Sequence, residues 1–433
     1  MKNMGIKTKR FINIRKSCSC SMPGVWRAVA YMDGVVVIFH SPRACAHIAR
    51  TMDINTHYRA MGDGRKEERA SVPLLSSQLE EKHSIFGGID RLKKCIAYAI
   101  EKYAPKCLVL GGSCVAGVIG DDVEAVAKEV EEEYNLPVIT VDSYGFLDGE
   151  FFEGYFEITY KLIDRYLYPQ EHIPKTVVLI GDNGGPWGHY ATEVTRILEA
   201  MGVTVIGQFP GYITLADLPK ITSAEAMVVL GGKGNTHEGL ECLTKRLHEK
   251  FGFKFLQDVY PVGWERTQQW IVEMGKLLNC EAQAEEVLQA ERLLMEKSFA
   301  QFLSVTKNKK TTLCIGRWLM YFHPESMLGV INALKLDLQG IVLLDALEAG
   351  YFDEMVGALR KYTDVPIYSN LDGEHLLKEA DVVLTTHELQ DKNLKQVFLP
   401  MLPKVGTLGE IEFMQVIYRV LCSKHKGGGL VYV

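Results

Sequence analysis

The sequence predicts an α/β protein made of three successive units, each a parallel sheet flanked by helices. Three observations predict it. Short β-branched runs such as Val35-Val36-Val37-Ile38-Phe39 and Val177-Val178-Leu179-Ile180 are apolar throughout, as strands buried on both faces are. Each run leads into a Gly-rich or polar turn and then an amphipathic helix, the rhythm of a parallel sheet covered by helices. At roughly 150 residues per domain, 433 residues leave room for about three units.

The first unit spans 1–170. Val35–Phe39 is its first strand. Ile89–Tyr103 is a helix, with Leu92, Ile96 and Ile100 at helical spacing. Cys107–Leu110 is the next strand and ends in Gly111-Gly112-Ser113-Cys114. Asp121 and Asp122 open a helix through Tyr134, since carboxylates favour a helix N-terminus. Val138–Val141 follows Pro137 as a further strand.

The second unit spans 171–306. Thr176–Ile180 is a strand, Gly181 to Pro186 its turn and Tyr190–Met201 its helix. Val203–Ile206 and Met227–Leu230 are strands. The helical stretch Glu285–Phe302 is read as a linker, with a polar boundary at Lys307–Lys310. The third unit spans 307–433. It holds strands at Thr311–Ile315, near Gly340–Leu344 and at Asp381–Leu384, and closes on a helix from Glu410 to Leu421.

Composition narrows the function. Hydrophobic residues are 47% and charged residues 24%, an ordinary globular balance. The net charge of −6, with both signs mixed, excludes a broad nucleic-acid face. The one basic cluster, Lys2 to Lys16, reads as a solvated arm. The longest apolar runs are far too short to span a bilayer, and no apolar run precedes a small-residue cleavage site. A cytoplasmic location is expected, where thiols stay reduced, so the ten cysteines are not a disulfide framework.

Three cysteines have settings unlike core residues. Cys20 lies in the loop Cys18-Ser19-Cys20-Ser21-Met22-Pro23-Gly24. Cys45 lies in His40-Ser41-Pro42-Arg43-Ala44-Cys45, just past a buried strand, and Cys114 follows Gly111-Gly112-Ser113, also past a strand. Ligand sites of open α/β sheets sit at such strand ends. Soft thiolates there favour an iron–sulfur cluster or zinc. The separations of 25 and 69 residues match no compact zinc or ferredoxin spacing, so packed, ligand-free cysteines stand as the alternative.

The flanking residues carry a resemblance. His40-Ser41-Pro42-Arg43-Ala44-Cys45, the string Ser113-Cys114 to Ile119-Gly120-Asp121-Asp122, Phe86-Gly87-Gly88 and Thr407-Leu408-Gly409-Glu410 resemble the nitrogenase component 1-type oxidoreductases. That family comprises molybdenum–iron protein subunits, their cofactor-assembly paralogues and dark-operative tetrapyrrole reductases. The resemblance covers nearly the whole chain, strongest from Cys20 to Asp122 and loose beyond Tyr168. It implies three Rossmann-like domains. It also implies an iron–sulfur cluster on Cys20, Cys45 and Cys114, either [4Fe–4S] or a larger P-cluster-like one, at the interface with a homologous subunit. A [4Fe–4S] cube needs four ligands, so the fourth comes from the partner, from a doubled cluster spanning two chains, or from Cys18. Ser143 sits where family members place an additional oxygen ligand; the alternative is a turn serine.

Catalytic members of the family hold a second metal centre on a middle-domain Cys and a His near the C-terminus. Here Val228 to Asn235 contains no Cys, and His387 follows a strand without matching neighbours. The resemblance therefore implies no FeMo-type cofactor. It leaves a nitrogenase-like reductase subunit of unknown substrate, served by an ATP-dependent iron–sulfur reductase of the nitrogenase iron-protein type. A scaffold for metallocofactor assembly is the alternative, and a cluster-free binding module a third. The chain has no G-x-x-x-x-G-K-[ST] motif, so a partner would hydrolyse any ATP. Gly181 to Gly188 follows a strand and opens a helix, so its N–H groups could hold an anion, with Gly231 to Gly234 and Lys233 lining the same cleft. A merely tight turn is the simpler reading. His40 and His47 flank Cys45 and read as structural, His40 orienting the loop.

Overall fold

In the computed structural model the described residues are 20–51, 71–141, 144–145, 150–182, 184–185, 188–232, 238–316, 324–344, 350–391, 393–399, 404–423 and 430–431. The chain begins with α1 (Ser21–Val29), β1 (Val35–His40) and α2 (43–51), then β2 (Leu74–Ser76), α3 (His83–Phe86) and α4 (Ile89–Tyr103). β3 (Cys107–Gly112), α5 (Cys114–Ile119), α6 (Val123–Tyr134), β4 (Val138–Val141) and α7 (Phe151–Tyr166) complete this part. The four strands form one sheet in the order β2-β1-β3-β4, and every pairing is parallel. β1 and β3 are buried along their whole length, as their unbroken apolar runs require. Register sets His40 opposite Gly112, so β1 and β3 release their C-terminal loops side by side.

A helix pair covers one face of this sheet. α1 and α7 cross at two glycines: a Cβ on Gly24 would lie 1.8 Å from the Phe151 carbonyl oxygen, and one on Gly154 2.3 Å from that of Ser21. Any side chain there would force the helices apart. α7 starts from a capping box in which the Glu150 N–H donates to the Glu153 carboxylate at 3.1 Å.

β5 (Ile173–Ile180), α8 (His189–Ala200), β6 (Thr204–Phe209), β7 (Ala224–Val229), α9 (Glu238–Phe251), α10 (Trp264–Leu277) and α11 (Glu281–Thr306) follow. Their sheet has the order β6-β5-β7, again parallel. One continuous core runs from the first sheet through α1 and α7 to this second sheet, joining Val37 and Val109 to Trp26, Ile158, Val178 and Phe209. The two sheets thus share buried surface.

The last part comprises β8 (Lys310–Ile315), α12 (Pro324–Ala333), β9 (Asp337–Leu343), α13 (Tyr351–Leu359), β10 (Ile367–Ser369), α14 (Glu374–Glu379), β11 (Val382–Thr385), β12 (Gln396–Phe398), α15 (Gly406–Cys422) and β13 (Leu430–Val431). Its strands run β10-β9-β8-β11-β12-β13, all parallel. α11 is longer than the expected linker and does more than connect. Ala284, Val287 and Leu288 sit in the core of the second sheet, whereas Met295 and Phe302 sit in that of the third. α15 is tied back to α8: the Leu408 N–H donates to Glu193 at 3.0 Å, and Arg196 bridges Glu193 and Glu291, both at 2.8 Å. Among the described residues no helix is long and apolar enough to cross a membrane.

Candidate metal centre

Cys20 is the N-cap of α1, in extended backbone, and pairs with Glu150 through an isolated antiparallel bridge at the start of α7. Cys45 lies in the first turn of α2, beyond β1. Cys114 is the first residue of α5, and the side chain of Ser113 caps that helix by accepting from the Ala116 N–H at 3.3 Å. Adjacent parallel strands therefore deliver Cys45 and Cys114, and the α1–α7 crossing delivers Cys20.

The three thiols converge. All are half-buried. Burial pushes the Cys20 thiol up, and the nearby Cys114 pushes it further against the backbone N–H of Met22. Burial also raises Cys45, which feels both Cys20 and Cys114. A backbone contact supports the convergence. Ser21 Oγ donates to the Gly145 carbonyl at 3.4 Å, and a Cβ on Gly145 would stand 3.7 Å from Cys114 Sγ.

A buried polar lock holds these loops. His40 Nε2 meets Asp121 Oδ2 at 2.8 Å and His40 Nδ1 meets Ser77 Oγ at 2.9 Å. Burial holds the His40 imidazole below its ordinary range, although Asp121 works the other way. Asp121 also accepts the Gly88 N–H, at 2.9 and 3.1 Å to its two oxygens. Gly88 admits no side chain: a Cβ would lie 2.3 Å from Leu79 Cδ2 and 2.8 Å from Asp121 Oδ2. Ser113 Oγ donates to the His40 carbonyl at 2.8 Å. One lock thus joins the loop to Cys45, the loop to Cys114 and the Phe86-Gly87-Gly88 turn. His40 orients the loop, as expected. Of the acidic pair, only Asp122 caps α6, accepting the Ala125 N–H at 2.9 Å. The inward role of Asp121 was not foreseen, because a Gly-Asp-Asp string reads first as a helix start.

Exposed apolar side chains lie on α2 and α5, the helices that bear Cys45 and Cys114, and on α3, which packs against α5. Phe86 and Ile85 on α3 are 84% and 77% exposed, Val118 on α5 77% and Ile48 on α2 55%.

The donor set, three thiols from separate loops, is of the soft kind that iron or zinc takes. Among the described residues no three His, Cys, Asp or Glu groups stand close enough to share a single metal ion. Zinc would need its thiolates crowded at about 2.3 Å from one centre. An iron–sulfur cube spreads its irons and takes one thiolate at each corner, from separate loops. Cys18, Ser143 and Lys233 lie outside the described residues. Cys107, Cys280 and Cys314 are buried, each in a hydrophobic core, and burial drives all three thiols up.

The Gly181 turn is filled from within. Asp182 receives Arg27 Nε at 2.6 Å and Nη2 at 3.0 Å, and the Tyr212 hydroxyl at 2.7 Å. Burial opposes the Asp182 charge, but Arg27 and Tyr212 hold its carboxyl below the ordinary range. This ion pair occupies the side of the turn facing α1. The Tyr190 hydroxyl on α8 donates to the Gly231 carbonyl at 2.7 Å, which ties α8 to the turn after β7.

Fold and site together define a three-sheet α/β protein with thiol-bearing loops at parallel strand ends. The chain belongs to the nitrogenase component 1 type oxidoreductase family, whose model matches residues 20–407. Among its relatives is the nitrogenase molybdenum-iron protein alpha chain of Methanococcus maripaludis, 26% identical over 265 residues, covering 59% of this chain and 54% of that protein. That of Acidithiobacillus ferridurans is 28% identical over 73% of this chain and 63% of its own length. The nitrogenase iron-molybdenum cofactor biosynthesis protein NifE of Clostridium pasteurianum is 26% identical over 64% of this chain and 58% of its own. The matches thus span between half and two thirds of these relatives. A solved structure, nitrogenase Cp1 at pH 5, superposes with a TM-score of 0.67 at 16% identity, over 97% of this chain and 93% of that one. The shared fold is that of nitrogenase component 1.

Proposed function

We propose that the chain is an iron–sulfur subunit of a nitrogenase-like reductase, divided into domains at 1–170, 171–306 and 307–433. Cys20, Cys45 and Cys114 hold a cluster, [4Fe–4S] or larger and P-cluster-like, at the interface with a homologous subunit in the cytoplasm. An ATP-dependent reductase of the nitrogenase iron-protein type delivers electrons there. The nearness of three half-buried thiols, borne on separate loops, carries the reading. A thiolate-bound iron–sulfur cluster supplies one-electron transfer, at a potential set by hydrogen bonds and solvent exposure. The chain's own residues do the rest. Ser113 and the His40–Asp121–Gly88 lock fix the loops that present the thiols. Ile48, Ile85, Phe86 and Val118 exclude water once a partner covers them.

The relatives named as NifE favour a second reading, a scaffold that holds a maturing metallocofactor without turnover. The stretch Val228 to Asn235 offers no Cys for a second metal centre, which suits either a scaffold or a reductase of another substrate.

The experiment is Cys45→Ala, purified without oxygen, with iron content and native mass measured together. The account expects iron to fall and the oligomer to weaken in step. A monomeric variant with its full iron would overturn the interface assignment.

A further inference from the structure

Beyond the cysteine loops lies a groove of about 590 Å³ between α2 and α4, floored by the edge strand β2. Arg43, His47 and Arg50 line it from α2, at the i, i+4 and i+7 positions of one helix face. Arg91, Lys94 and Tyr98 line it from α4, at i, i+3 and i+7. Among the described residues no Asp or Glu lines it, although the whole chain carries 54 acidic and 48 basic residues. Four permanent positive charges thus face one concavity in a net acidic protein.

Three of these charges carry the argument. Among the described residues Arg43, Arg91 and Lys94 form no ion pair. Arg91 is half-buried and braced by its Nε donating to the Ser77 carbonyl at 3.3 Å. The carboxylate that feels Arg91, Glu80, is bound at 2.8 Å to Lys82. Arg50 contacts the Ser71 hydroxyl. A concave wall of one sign focuses its field on the opening. Guanidinium forks match the two oxygens of a phosphate or carboxylate. The volume is that of a small-molecule site, and β2 with the Tyr98 ring offers an apolar wall beside the charges.

We propose that this groove binds a small organic polyanion carrying at least two phosphate or carboxylate groups. The proposal does not rest on the cluster reading, and its test is run on cluster-loaded and cluster-free protein alike. The probes are inorganic pyrophosphate and citrate, measured by titration calorimetry at low salt against wild type, the Arg91→Gln/Lys94→Gln double variant and Lys102→Gln. Lys102 is an exposed α4 residue outside the groove. At least one probe should bind more tightly than about 1 mM. The double variant should weaken it at least tenfold, added salt should weaken it further, and Lys102→Gln should leave it unchanged. Pyrophosphate binding alone assigns a phosphate ester, and citrate alone a polycarboxylate. Matching thermal melts and iron contents show that the double variant folds. Failure of both probes to bind, as when an acidic protein surface is the natural occupant, overturns the proposal. So does binding that the double variant leaves intact.

Discussion

Asp121→Ala is the sharpest perturbation of the polar lock. The carboxylate is 8% exposed and accepts from Gly88 N–H at 2.9 Å while meeting His40 at 2.8 Å. Truncation leaves the Gly88 N–H and one side of the His40 ring in a buried site without this partner. Each such group costs about 1–3 kcal/mol, with contacts to a charged acceptor at the upper end. Two such groups together give about 2–6 kcal/mol, centred near 4 kcal/mol. The protein has several sheets, so a single global unfolding energy is a poor measure. Native-state hydrogen exchange on the slow amides of β1 and β3 reads the local opening instead. The expected result is exchange faster by roughly a hundred- to thousandfold there, with β8 and β9 unaffected. A change below about threefold in β1 and β3 would refute the reasoning that Asp121 holds the loops together.

Three further outcomes follow from buried groups. Burial raises the Glu410 carboxyl to about 8 from an ordinary 4.5, so the folded protein keeps a proton that the unfolded chain releases. Stability then falls as pH rises between about 4.5 and about 8 and is level above. Thermal midpoints of Glu410→Gln should decline less across that window than those of wild type, and parallel curves would contradict the assignment. Arg27→Met strands the Asp182 carboxylate and should destabilise by about 3–5 kcal/mol in denaturant melts. Arg27→Met with Asp182→Leu should recover much of that loss, and strict additivity would show that the pair is not coupled. Gly24→Ala puts a Cβ into the Phe151 carbonyl and should cost about 1–3 kcal/mol or more, seen as early tryptic cleavage between α1 and α7. Wild-type resistance would mean that the helices can separate freely.

The sequence shows some of this directly and hides the rest for physical reasons. β1 and β5 are legible because apolar residues fill them. β6 and β7 extend beyond the strands expected at Val203–Ile206 and Met227–Leu230, since Gly207 and Gln208 in one and Glu225 in the other interrupt the apolar run yet continue the strand. β10 and β12 have three residues each, too few for any period to register. The cysteines stood out by their loops and by a resemblance, but their convergence depends on register. His40 opposite Gly112 sets the two loops side by side, and no spacing of 25 and 69 residues conveys that. The Arg27–Asp182 pair joins residues on α1 and beyond β5, and the basic groove joins two helices across an edge strand. Both arise only when the chain is folded.

The central claim is that Cys20, Cys45 and Cys114 hold an iron–sulfur cluster. Its most direct test is iron and acid-labile sulfide per chain on protein purified without oxygen, with an electron paramagnetic resonance spectrum after reduction. The account predicts several irons per chain, matching sulfide and a cluster signal, all lost on replacing any of the three cysteines. Protein that stays metal-free after attempted cluster reconstitution would contradict it, and the three thiols would then be packing residues under an apolar contact face.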